Sequence, residues 1–330
     1  MKAVYLTEQG DFGVLRYGDV PDPTPGPDEV IVRVRATSIN RRDLFEREGS
    51  HGVRLATSYH GEKLDRAEHI PGLDIAGEVA ALGEGAARAG RFAIGDRVFG
   101  VATGGAYCQY ARADLAELQP LPANVPWEEA AAVPTVFAAA YRALVIRAHM
   151  AMGEQVLVMA AGSGVGSAAI QLAKLAGCRV LTTASSDAKL AKAADLGADV
   201  GINYKEQPEF SKAVMAATKN EGVELLYEHI GVDVFEQAYR SLKMGGRLVT
   251  NGVTTGHLVS LHLGRLWTRE VSLIGSTMHP AEDLRHMVPL LERGQVHGVI
   301  QQVLPLADAA EGHRVLDSNN FFGKVVLAVD

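Results

Sequence analysis

The chain of 330 residues is 47% hydrophobic and 22% charged, and its 39 acidic residues against 32 basic ones give a net charge of −7. That length predicts two domains, and the apolar content excludes a mainly disordered chain. The acidic balance argues against nucleic-acid or anionic-membrane partners, and no apolar run approaches the ~20 residues that span a bilayer.

The opening Met1-Lys2-Ala3-Val4-Tyr5-Leu6 has no long apolar segment leading to a cleavage site, so no signal peptide is expected and the location is expected to be cytoplasmic. Pro21 to Pro27 reads as a rigid surface connection, because four prolines exclude helix and central strand. Val30–Ala36, Ile75–Leu82, Arg97–Val101 and Ala106–Ala111 read as short strands between Gly-rich turns, which is a barrel pattern. The two cysteines, Cys108 and Cys178, form no CxxC pair and are expected to be reduced and buried.

The pattern changes near Pro120-Leu121-Pro122. Beyond it, strands alternate with Ala-rich helices: Val156–Met159, helix 165–176, Arg179–Thr183, helix 187–196, Val223–Tyr227, helix 233–242 and Arg247–Thr250. Such alternation predicts a doubly wound parallel sheet. Gly323–Val329 returns to strand.

The most informative segment is Val156-Leu157-Val158-Met159-Ala160-Ala161-Gly162-Ser163-Gly164-Val165-Gly166. An apolar strand runs into three alternating glycines and then a helix. Glycine allows a tight turn and close approach of a diphosphate, and the helix N-terminus attracts the anion. Ser167 replaces the third glycine of strict G-x-G-x-x-G. An NAD site usually carries an acid at the end of the second strand, but Ala184 stands there. Ser185 and Lys189 lie where a 2′-phosphate needs partners. Asp187 is expected to cap the next helix.

Met1–Val4, Pro25–Val30, Pro71–Gly77, Gly95–Val98, Ala161–Gly166 and Phe322–Lys324 together resemble the medium-chain dehydrogenase/reductase superfamily over nearly the whole chain. The resemblance implies an α/β chain with two domains. A GroES-like β-barrel catalytic domain is expected over 1–124 and 278–330, and a Rossmann cofactor domain over 125–277. The positions of the family's catalytic zinc ligands correspond to Asn40, Leu73 and Thr135, which make no zinc set, so no metal is expected. The chain therefore resembles the zinc-free quinone oxidoreductase branch, through Asn40-Arg41-Arg42-Asp43.

That branch implies NADPH and a small electrophilic carbonyl substrate, a quinone or an enone. It implies cofactor contacts at Gly162, Ser163, Gly164, Val165, Gly166, Ser185, Lys189, Tyr204, Asn251, Gly252, Phe322 and Lys324. Asn40 and Thr135 are the candidate catalytic polar groups, with Asn40 expected beside the nicotinamide and the substrate oxygen, and Tyr59 is a candidate proton donor. The stretch from Glu48 to Ile70 is longer than the family usually has. Its His51, His60 and His69 have spacings of nine residues that fit no metal motif, and a lid over substrate is the expected role. Glu270–Ser276 is expected to be an edge strand that pairs in a homodimer. The alternatives are a zinc-type alcohol dehydrogenase relative acting on alcohols or aldehydes, and a non-catalytic NADPH-binding protein.

Overall fold

A computed structural model describes residues 1–50 and 69–330, with the backbone of 58–59 and 62–63. It divides into two compact units, Met1–Thr135 with Pro280–Asp330, and Val136–His279.

In chain order the first unit begins with an antiparallel ribbon of β1 (Lys2–Tyr5) and β2 (Arg16–Asp19). β3 (Glu29–Ser38) follows, then the two-residue pair β4 (Ser58–Tyr59) and β5 (Glu62–Lys63). β6 (Asp74–Leu82), β7 (Arg97–Val101), β8 (Tyr110–Asp114) and β9 (Leu118–Pro120) complete its N-terminal part. β3 organises the unit. β6 pairs along one edge of it, while β8 takes Glu29–Arg33 on the other. Its Val30, Val32 and Val34 are buried in a common core with Ile75, Val79 and Val98, and Ala36 is also buried. Those side chains recur at every second position, so one face of β3 is apolar throughout.

The second unit is a six-stranded, wholly parallel sheet. Its strands are β10 (Gln155–Val158), β11 (Arg179–Ala184), β12 (Val200–Asn203), β13 (Val223–Glu228), β14 (Leu242–Thr250) and β15 (Ser272–Gly275). The spatial order is 12-11-10-13-14-15, so the winding reverses between β10 and β13. Helices Gly164–Leu175, Asp187–Asp195, Phe210–Ala217 and Val232–Arg240 connect successive strands. Leu157 pairs with Leu181 on one side and Leu226 on the other, and all three are fully buried. A strand flanked on both edges, under helices, reads as the continuous apolar run seen in the sequence.

The chain then returns to the first unit. β16 (Ile300–Pro305) pairs in parallel with β17 (Lys324–Ala328), and β17 pairs antiparallel with β3 through Val326–Ser38, Leu327–Thr37 and Ala328–Ala36. The C-terminal tail thus completes the seven-stranded mixed sheet, as a GroES-like unit with a Rossmann-like unit inserted requires.

Two local expectations need correction. The strand expected over Ala106–Ala111 begins at Tyr110. The N–H groups of Ala106 and Tyr107 donate to Pro71 O at 2.9 and 3.1 Å, and Tyr107 O accepts from Val4 at 2.8 Å, so that backbone is committed to a turn. Gly105 makes the turn at φ 98°, where a Cβ would lie 2.1 Å from Ile70 O. The helix starting at Asp187 is capped by Ser186, whose hydroxyl accepts from Lys189 N. Asp187 instead accepts a bond from Asn203 Nδ2 at 3.0 Å.

Candidate active site

In the first unit, the sheet brings four residues from distant parts of the sequence together. Asn40 follows β3, Asp74 opens β6, Lys324 opens β17, and Thr135 lies in the first turn of the helix Pro134–Tyr141. The antiparallel partners Ser38 and Asp74 fix the first two, and the pairing of Val326 with Ser38 fixes the third. Asp74 is completely buried, and five donors surround its carboxylate. Oδ2 accepts from Ser38 Oγ at 2.8 Å, Asn40 Nδ2 at 2.9 Å and Lys324 Nζ at 3.2 Å. Oδ1 accepts from the Thr135 backbone N–H at 2.9 Å and from its hydroxyl. A buried carboxylate this well satisfied is retained as an ion pair with the ammonium.

Asn40 is tied at both ends. Its Oδ1 accepts from Lys324 Nζ at 2.6 Å. Its Nδ2 faces the Asp74 carboxylate and, at 3.4 Å, Ser38 O. The ammonium on one side and the carboxylate on the other leave only one orientation of the amide. Sequence reasoning singled out Asn40 and Thr135 as catalytic polar groups and Lys324 as a cofactor contact, and it missed Asp74, which bonds to all three. The missed signal was a lone carboxylate in the apolar run Leu73-Asp74-Ile75-Ala76, which must find a partner if buried.

A second polar group supports Asn40 from behind. Asn40 N donates to Asp43 Oδ2 at 2.9 Å, which caps the helix Arg41–Glu48, and Tyr107 OH donates to the same oxygen at 2.8 Å. His313 Nε2 lies 3.2 Å from the Tyr107 oxygen, so it carries the proton and Nδ1 is bare. Burial pushes Asp43 up to about 7, against the pull of the Asn40 N–H, Tyr107 and the Lys324 charge. Burial, and then the charge of Arg47, push His313 down to about 3. His69, the described member of the three loop histidines, sits 3.1 Å from Glu46. The side chains of His51, Tyr59 and His60 lie outside the described residues.

The zinc that relatives of this fold carry does not fit here. Leu73 is half-buried and offers only its backbone oxygen, which already accepts from Ala102 N at 2.7 Å. Asn40 Oδ1 and Thr135 are engaged, and a divalent cation beside the buried Lys324 ammonium would be repelled. Among the described residues, no group of three or more His, Cys, Asp or Glu side chains is placed to hold a metal ion.

In the second unit, the glycine segment joins β10 to the helix Gly164–Leu175 on the carboxyl side of the sheet. Ala160 adopts a left-handed φ of 49°, and its carbonyl accepts from Ser163 Oγ at 2.9 Å. The same hydroxyl caps the helix by accepting from Gly166 N at 2.9 Å. A Cβ on Gly166 would stand 2.3 Å from Ala160 O, so only glycine lets the helix start this close to the strand. The opening N–H groups of a 12-residue helix, beside the reversal of strand order, fit the diphosphate of a dinucleotide. His229, at the end of β13, was not foreseen. It is buried and donates Nε2–H to Met159 O at 3.0 Å, and burial lowers it to about 4, so it is a neutral brace between the two strand ends at the reversal.

Ser185 and Lys189 follow β11, Tyr204 follows β12, and Tyr204 N donates to Ala184 O at 3.1 Å. Lys189 is pushed below its ordinary value by burial and then by the charge of Lys205. The charge of Lys205 therefore reaches Lys189 beside these strand ends, where Ala184 stands in the usual acidic slot and Asp187 is bonded to Asn203. Asn251 and Gly252 follow β14, beside His229: a Cβ on Gly252 would lie 2.9 Å from His229 O. Phe322 is buried before β17, with its N–H donating to Gln301 at 3.0 Å.

Residues 26–140 match the alcohol dehydrogenase GroES-like domain and residues 164–293 the zinc-binding dehydrogenase domain. The chain is 30% identical over 336 residues to the quinone oxidoreductase of Lama guanicoe, covering 99% of this chain and 97% of that one. It is 29% identical to the acryloyl-coenzyme A reductase of Sulfurisphaera tokodaii, covering 99% of each. A crystal structure of an NAD-dependent alcohol dehydrogenase superposes with a TM-score of 0.91 at 36% identity over the whole of both chains. The chain belongs to the medium-chain dehydrogenase/reductase superfamily, and it is an oxidoreductase with an NAD(P)-binding Rossmann unit.

Proposed function

We propose that the protein is a zinc-independent reductase that uses NADPH to reduce an activated carbonyl, either a quinone or an α,β-unsaturated carbonyl. The observation that carries this reading is the Asn40–Asp74–Lys324–Thr135 cluster, in which every group at a metal-ligand position is already bonded to protein. Without a Lewis acid a simple alcohol is not readily ionised, whereas an electrophilic acceptor needs only hydride and a donor for its oxygen. When bound, the nicotinamide supplies the hydride. The chain's own part is to hold the diphosphate at the Gly164–Leu175 helix and the acceptor oxygen at the polar cluster. The NADPH preference is supported by Ala184 at the acidic slot and by Lys189 and Lys205 nearby.

The likeness to an alcohol dehydrogenase favours alcohol oxidation as a second reading. A spectrophotometric panel separates the two. Pure protein is given NADPH or NADH with 1,4-benzoquinone and trans-2-hexenal, and NAD or NADP with primary alcohols. Turnover of NADPH with a quinone or enal is expected. Alcohol-dependent NAD reduction with stoichiometric zinc would replace the proposal.

We also propose a homodimer. Among the described residues β15 has a partner on one edge only, and Leu273 in it is 41% exposed. Leu263 and Trp267, which precede it, are 66% and 74% exposed. An apolar edge is closed by a second copy across a twofold axis. Light scattering at micromolar concentration is expected to give twice the chain mass.

A further inference from the structure

From the donor count around Asp74 we infer that Lys324, not Asn40, is the catalytic group that meets the substrate's carbonyl oxygen. The inference rests on the reductase reading above and deepens it. An amide nitrogen has two hydrogens, and both of Asn40's are directed into the protein, at Asp74 Oδ2 and Ser38 O. Its oxygen is held by Lys324. Thr135 spends its single hydroxyl hydrogen and its backbone N–H on Asp74 Oδ1. Neither retains a hydrogen for a substrate oxygen.

Lys324 differs. An ammonium has three hydrogens. Two are directed at Asn40 Oδ1, 2.6 Å away, and Asp74 Oδ2, 3.2 Å away. The third has no acceptor among the described residues. Its side chain is 5% exposed, so the charge is desolvated, and a hydrogen bond from it to a developing oxyanion is worth more than one in water. Asp74 and Asn40 fix the direction of that bond. Asp74 is therefore a positioning residue, as is Asn40, and the Lys324 cation takes over the charge-stabilising task of the metal that the fold carries in zinc-dependent relatives.

Hydride supplied by bound NADPH would add to the β-carbon of the enal and the π electrons would move onto the carbonyl oxygen, the two electrons coming from oxidation of NADPH to NADP⁺. The enolate oxygen accepts a hydrogen bond from Lys324 Nζ. The proton that completes the reduction at the α-carbon comes from water, and Lys324 remains an ammonium.

The test uses the full-length protein and two readouts. The first is kcat/KM for NADPH with trans-2-hexenal in the wild type, Lys324→Met, Lys324→Arg and the double variant Lys324→Met/Asp74→Asn. The double variant removes both charges, so it folds even where an unpaired Asp74 would unfold the single one. A fall on the order of 10²–10³-fold is expected in both Met variants, with partial recovery in Lys324→Arg and NADPH affinity changed by less than about threefold. The second readout needs no turnover. Binding of 4-nitrophenol, an oxyanion mimic, is followed by its visible band above and below its own pKa. The wild type is expected to prefer the phenolate, and the Met variants to lose that preference.

Phenolate preference that depends on Lys324, in a wild type that reduces no acceptor, would refute the reductase reading and keep the lysine as an oxyanion site. A kcat/KM that survives in the double variant, or a wild type that binds the neutral phenol as well as the anion, overturns the assignment.

Discussion

Polar side chains hold the candidate chemistry of the mixed-sheet unit, whereas glycines and main-chain N–H groups hold that of the parallel-sheet unit. Around Asp74, charge is buried and fixed by residues 38, 40, 135 and 324, which only the completed sheet brings together. Around Gly166 the site is one continuous segment, shaped by steric closeness and a helix terminus. The first arrangement is sensitive to loss of a charge. The second is sensitive to the addition of a single carbon atom.

Four substitutions sharpen that contrast. The largest effect is expected from Asp74→Ala, which leaves the Lys324 ammonium buried without its counter-charge. Urea denaturation should show a loss of about 3–5 kcal/mol, and a loss under about 1 kcal/mol would mean that the pair is not retained as ions. Next is Gly166→Val, whose Cβ collides with the Ala160 carbonyl. Fluorescence titration should show NADPH affinity falling by about 100-fold, near 2.7 kcal/mol, and an unchanged affinity would detach this segment from the cofactor.

Lys189→Ala should be milder and selective. A weakening of about tenfold for NADPH, with NADH nearly unaffected, is expected of one charge-assisted contact to a phosphate. Equal losses for both cofactors would remove the basis for NADPH preference.

The smallest effect concerns pH. Asp43 has a folded pKa near 7, raised from 3.8 mainly by burial. Its contribution is fully present below the unfolded value and is lost as pH rises through 7. His313 acts in the opposite sense: its pKa is depressed from 6.5 to about 3, so its contribution is present above 6.5 and lost as pH falls. Comparing the wild type with Asp43→Asn isolates the acid. Between pH 6 and 7 the wild type should lose on the order of 1 kcal/mol relative to the variant. A parallel pH dependence in the two proteins would show that Asp43 does not titrate in that range.

The parallel-sheet unit was legible because its signals are local. The run Val156-Leu157-Val158, the glycines after it and the helix they open lie within one stretch, and the missing acid at Ala184 needs only a count of residues. The other unit was legible in outline through its short strands and through resemblance. Its chemistry was not, because Asn40 and Lys324 are 284 residues apart and meet only when β17 pairs with β3. Nothing in the spacing of Leu73-Asp74-Ile75 says which cation answers the carboxylate. Asn40 was singled out as a donor to substrate, but its hydrogen-bond commitments are a tertiary property, and the assignment proposed above makes it a support for Lys324. The expected strand over Ala106–Ala111 failed for a similar reason: Pro71 and Val4 claim that backbone.

The most direct test of the account is a single turnover with NADPH deuterated at the transferable C4 position, trans-2-hexenal as acceptor and the wild-type protein. The account predicts hexanal carrying deuterium at its β-carbon and an α-proton from water, with no added metal and no effect of a chelator. Deuterium at the carbonyl carbon, giving the unsaturated alcohol, together with activity that a chelator removes and zinc restores, would contradict it.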